Sequence, residues 1–135
     1  MKNNKIRIVL GLLFAVFSLQ LQAGIVTAEH KVLSAVDSFA GKSQLALAIT
    51  LTNHGGKDLS YAHFHLQNVN QLDLLTRYMP LKLRTLPGGQ RITVEWQVEA
   101  IGNAKQWMNG KSMVLVGQAV GEDGTMVPLK IISEP

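Results

Sequence analysis

The 135-residue chain contains no cysteine. That absence excludes disulfide staples, thiolate metal ligands and a lipid-modified N-terminal cysteine, so the fold rests on an apolar core and backbone pairing alone. Aromatic residues are few, at 6%, which leaves little material for a stacking platform. No nucleophile elbow, zinc-binding helix or phosphate loop is present. "PGGQ" (residues 87–90) lacks the lysine and the following helix of a phosphate cradle and reads as a turn. No calcium-loop spacing accompanies Asp37, Asp58 or Asp73, which read as turn caps or surface charges. The expectation is therefore a protein that is not an enzyme, with no catalytic residue and no required cofactor.

What is present first is an address. Lys2, Lys5 and Arg7 precede an apolar run from Ile8 to Phe17, and a more polar stretch ends at Ala23. This is the layout of an export signal helix over residues 1–23, and the apolar run is short for a membrane span, which needs roughly 20 apolar residues. Cleavage would leave one domain, residues 24–135, with no stable transmembrane anchor, in the periplasm or secreted from a bacterium. Three of the thirteen basic residues lie in the signal and no acidic ones do, so the overall charge of +4 falls to +1 in the remainder. The remaining cations are dispersed among acids, and nucleic acid is not an expected partner.

The mature segment reads as strands separated by turns. "QLALAITLTN" alternates Leu45, Leu47, Ile49 and Leu51 against Ala46, Ala48, Thr50 and Thr52, the period of a half-buried strand. "NHGGKD" is a glycine loop, and "LSYAHFHL" returns with Ala62, Phe64 and Leu66 on the core face and Tyr61, His63 and His65 on the other. Burying the apolar set is cheaper than burying two imidazoles that would each need partners. "RITVEWQVE" places Ile92, Val94, Trp96 and Val98 inward, and "SMVLVGQAVG" is another β-prone run. An edge strand is expected around His30 to Val36. Pro128 in "MVPLKII" marks an edge or a bulge, because proline offers no ladder donor. "AIGNAKQWMNGK" reads as a long connection that can hold one helical turn.

Together these features predict an all-β fold, a single antiparallel β-sandwich. "LALAITLTNHGGKDLSYAHFHL", "LPGGQRITVEWQV" and "SMVLVGQAVGEDGT" resemble, at fold level, the immunoglobulin-like or fibronectin-type sandwiches of bacterial envelope proteins. The resemblance covers less than half of the chain, and no cysteine pair flanks Trp96. It implies an accessory, adhesive or assembly module.

Three functional readings follow. The leading one is a non-catalytic interaction, assembly or structural accessory domain of the bacterial envelope, whose partner is another envelope protein. A second is a copper- or zinc-binding protein, because His63 and His65 project from one face of a strand about 6.6 Å apart. Two imidazoles are half of a usual zinc set, so His30 or His54 would have to join them. The third is a carbohydrate-binding module using Trp107 and Tyr78, which together with Met108 make a candidate contact patch for protein or sugar. Closure of one end of the domain by Trp107 is the competing explanation for that residue.

Overall fold

A computed structural model describes residues 25–67, 80–108 and 110–135. The signal helix expected over 1–23, the segment 68–79 and Asn109 lie outside the described residues. The described residues form seven strands in chain order: β1 (Val26–Asp37), β2 (Lys42–Asn53), β3 (Leu59–Gln67), β4 (Leu81–Leu86), β5 (Arg91–Ile101), β6 (Met113–Val120) and β7 (Met126–Glu134). A single helical turn, α1 (Ala104–Trp107), links β5 to β6. Among the described residues no helix is long and apolar enough to cross a membrane.

Side-chain alternation decides which face of each strand is buried. Leu45, Leu47, Ile49 and Leu51 of β2 and Phe64 and Leu66 of β3 are buried, as are Trp96 and Val98 of β5 and Leu129 and Ile131 of β7. They form one continuous core. Fully burying such a side chain stabilises the fold by about 1.5–3 kcal/mol, so a register slip that turned β2 over would be prohibitive.

The expected two-sheet antiparallel sandwich of immunoglobulin type is corrected by the pairing. All seven strands belong to one hydrogen-bonded sheet in the order β4-β3-β6-β7-β1-β2-β5, curled into a near-closed barrel. The sheet is mixed: β1 runs antiparallel to β2 along its length and parallel to β7 at Ala28–Ser133 and Glu29–Glu134. Alternation in sequence reports which face of a strand is buried but not which strands lie beside it. The first strand therefore joins what would otherwise be two sheets.

The edge expected around His30 to Val36 is a local one: β1 pairs with β7 only at Ala28 and Glu29, and beyond them it has β2 on one side alone. β1 begins at Val26 and lies between β2 and β7. Its weak alternation has a cause, since the register shifts between Val32 and Ser34. Pro128 sits opposite Gln118 of β6, in a stretch of β7 that has no β1 partner. Pro128 thus lies where β7 is paired on one side alone, a local edge of the kind proline tolerates. Among the described residues the outermost strands of the sheet are β4 and β5.

Candidate functional site

The histidine pair stands on β3, whose local geometry is irregular. Ser60 and Tyr61 both intervene between inward Leu59 and Ala62, and the register against β6 shifts between Ser60 and His63. That is a β-bulge. Tyr61 absorbs it at φ 49°, in the left-handed region that side chains other than glycine seldom occupy. On β6, Gly117 lies opposite Phe64, and a Cβ there would overlap the His63 carbonyl oxygen. The bulge thus depends on a glycine across the ladder.

The bulge presents Tyr61 to solvent at 68% exposure. His63 pairs with Lys82 of β4, and the Ser60–Thr85 and Ala62–Leu83 pairs bracket Tyr61 and Arg84. Tyr61, His63, Lys82 and Arg84 wall an open trough of about 780 Å³, lined also by Ala62 and Leu83. Neither Lys82 nor Arg84 has a carboxylate within ion-pair distance among the described residues, where the ion pair formed is Lys42–Glu99.

His63 and His65 do project from the same face. Their ring centroids are 6.4 Å apart with planes at 83°, an edge-to-face contact. The other two histidines stand elsewhere. His54 Nε2 bonds the Thr27 hydroxyl at 2.7 Å in the β2–β3 loop. His30 points inward from β1, only 5% exposed, with Nδ1 2.7 Å from Ser133 Oγ. No group of three His, Cys, Asp or Glu residues positioned for a metal occurs among the described residues.

His30 is the buried titratable group of the core. Its Nε2 has no partner at hydrogen-bonding geometry. Burial holds its pKa below the ordinary imidazole value, opposed by the nearby Lys111 backbone and the Glu134 charge. Desolvation prevails because the cation would be taken out of water.

Of the expected contact patch, Tyr78 lies outside the described residues. Trp107 is half-buried against the core, and its indole N–H donates to the Ile101 carbonyl at 3.0 Å. Asn103 caps α1 through a reciprocal capping box with Gln106, and Asp37 Oδ1 accepts from the Ala104 N–H at 2.7 Å. These bonds tie α1 to the β1–β2 hairpin and leave Met108 54% exposed beside it.

Sequence reasoning missed the hairpin tip next to this patch. Phe39 is 90% exposed, held outward by a turn in which Ala40 and Gly41 both have positive φ. Val36, Ile101 and Met108 are exposed large apolar residues of the same end, where Gly102 N–H donates to the Gly41 carbonyl. The available signal was a phenylalanine inside "DSFAGKS", a turn whose other residues are small or polar.

The opposite end is tied by Asn53, which is fully buried. Its Nδ2 donates to the Lys57 and Leu86 carbonyls at 3.0 Å each, and its Oδ1 accepts from Gly55 N–H at 2.9 Å. Gly88 fits there because a Cβ would come within 2.8 Å of the Gly56–Lys57 backbone. In the neighbouring turn the Thr125 hydroxyl, then its N–H, holds the Asp123 carboxyl below its ordinary pKa.

No protein-family model matches the chain, and no curated protein matches it. Solved structures do. The Northeast Structural Genomics Consortium target SoR45 is 14% identical at TM-score 0.44, covering 79% of each chain. A Bordetella pertussis protein described as ApaA is 14% identical at TM-score 0.40, over 82% of this chain and 94% of the other. A β-glucosidase involved in saponin metabolism from intestinal bacteria is 13% identical at TM-score 0.36, over 80% of this chain but 16% of the enzyme. Likenesses of this size fix neither a family nor an activity.

Proposed function

We propose that this chain acts without catalysis, as an exported interaction or assembly domain of the bacterial envelope that meets another envelope protein through the end carrying Phe39. The observation that carries this reading is the exposure of Phe39, with Val36, Ile101 and Met108 exposed at the same end, on a fold that buries Phe64 and Trp96 completely or nearly so. Grouped exposed apolar side chains favour a contact with protein. The anchor is aromatic and protrudes on a turn, a form suited to a pocket on a partner.

Trp107 supports the tip from behind, with its indole N–H on the Ile101 carbonyl. A ring already engaged and half-buried is a brace for that surface and a poor base for stacking a sugar. The histidine pair supports a metal reading less well, because its two edge-to-face imidazoles have no third ligand among the described residues and make half of a usual zinc set.

The test is site-specific photocrosslinking in the exporting host. A photoreactive residue at Phe39 is expected to give a discrete adduct with one envelope protein, abolished by Met108→Asp. The same residue at Thr93, on the outer side of β5, is expected to give none. Equal labelling at both positions would refute the proposal.

A further inference from the structure

The edge strands of the near-closed barrel differ in their chemistry. β5 turns residues of both signs outward, Arg91, Glu95 and Glu99, and Glu99 is paired with Lys42. β4 turns out Lys82 and Arg84, both cationic, two residues apart and without a carboxylate partner among the described residues. Between them Leu83 faces the core yet is only half-buried. No described strand pairs with the outer edge of β4. Beside it stand exposed Tyr61 and half-buried His63, the walls of the trough completed by Lys82 and Arg84.

We propose that this edge takes up an extended strand of a partner protein in which an apolar residue is flanked by two acidic ones. Strand addition supplies main-chain hydrogen bonds, and alternate side chains supply the specificity. A strand paired with β4 repeats its period of two, so residues i and i+2 fall opposite Lys82 and Arg84 on the outer face. Residue i+1 turns inward over Leu83. Opposite charges directly across a ladder stabilise the pair and like charges oppose it. The acidic–apolar–acidic order is thus dictated by β4 itself. Arg84 and Tyr61 add a planar donor and a phenol beside the incoming carboxylate.

Positively charged residues also protect an edge against pairing with copies of itself. That property and the proposed one agree: a cationic edge refuses its own kind and accepts an acidic strand. This contact is separate from the Phe39 end and does not depend on it.

The experiment uses the purified protein and fluorescent nine-residue peptides centred on Glu-Val-Glu, Lys-Val-Lys, Glu-Ser-Glu and the reordered Glu-Glu-Val, with amide exchange followed by NMR. The Glu-Val-Glu peptide is expected to bind about tenfold more tightly than each of the others, and amide exchange at Lys82–Arg84 is expected to slow on binding. The double variant Lys82→Glu/Arg84→Glu, at outward positions and checked for an unchanged near-ultraviolet spectrum, should instead prefer Lys-Val-Lys. Failure of the Glu-Val-Glu peptide to bind at millimolar concentration overturns the proposal. So does equal binding of Glu-Val-Glu and Glu-Glu-Val, which would mean charge attraction without a strand register. Protection of β5 in place of β4 overturns it, as does concentration-dependent protection of β4 without peptide, which would make a second copy the occupant. Each outcome leaves the crosslinking at Phe39 to be judged on its own.

Discussion

At the scale of single residues, two buried polar side chains carry unequal roles. Asn53 satisfies the Lys57 carbonyl and the Gly55 N–H of its own loop and the Leu86 carbonyl at the end of β4. Asn53→Ala would leave all three without that partner, and the expected loss is on the order of 3 kcal/mol in urea unfolding. His30 is the opposite case, with one ring nitrogen bonded to Ser133 and the other unpartnered. Its folded-state pKa lies below the ordinary value of 6.5, so the unfolded chain takes up the proton first. Stability from this residue is therefore complete above about pH 6.5, falls as the pH drops below it, and levels off beneath the folded-state pKa. The slope reaches at most about 1.4 kcal/mol per pH unit. Urea midpoints of the wild type and His30→Gln, compared between pH 7.5 and 5, should show this slope in the wild type and its absence in the variant.

At the scale of elements, the β3 bulge and the β1–β2 turn both use backbone conformations that side chains resist. Gly117→Ala forces a methyl group into the His63 carbonyl. The expected cost is about 2–3 kcal/mol, with chemical-shift changes spreading from Tyr61 to His63. Ala40→Gly should act in the other direction, because Ala40 stands at φ 56° on an exposed turn. A gain of about 0.5–1 kcal/mol in thermal or urea unfolding is expected. These elements also show what could be read from sequence. The strict alternation of Leu45 to Leu51 and of Ala62 to Leu66 identified buried faces correctly, and the outward pair His63 and His65 came with them. The bulge beneath that pair was hidden because its determinant, Gly117, lies on another strand. The isolation of His30 and His54 was equally hidden, since it depends on which strands and loops lie beside each, which local periodicity does not report.

At the scale of the whole molecule, the order of strands is a long-range property that local periodicity does not encode. The immunoglobulin-type sandwich was inferred from strand and turn spacing, which two-sheet and single-sheet arrangements share. The difference lies in the short parallel seam between β1 and β7. Ser133→Pro would remove a ladder donor where β7 meets both β1 and β6. The expected cost is about 3 kcal/mol or more. Hydrogen exchange should report faster opening of β1 and β7 together, while β2 and β5 remain the slower pair.

That seam also sets an order of events. Ala28 and Ser133 stand at opposite ends of the described chain, so their contact closes the largest loop in the sheet and bears a high entropic cost. The hairpin of β1 with β2 and that of β6 with β7 can each form locally, whereas the barrel is completed only after both exist. Such long-range pairing folds slowly. A chain threaded outward from its N-terminus would therefore emerge with β1 holding an unmet edge until β7 arrived. Slow completion makes the last strand the one that ends the exposure of β1 to wrong partners.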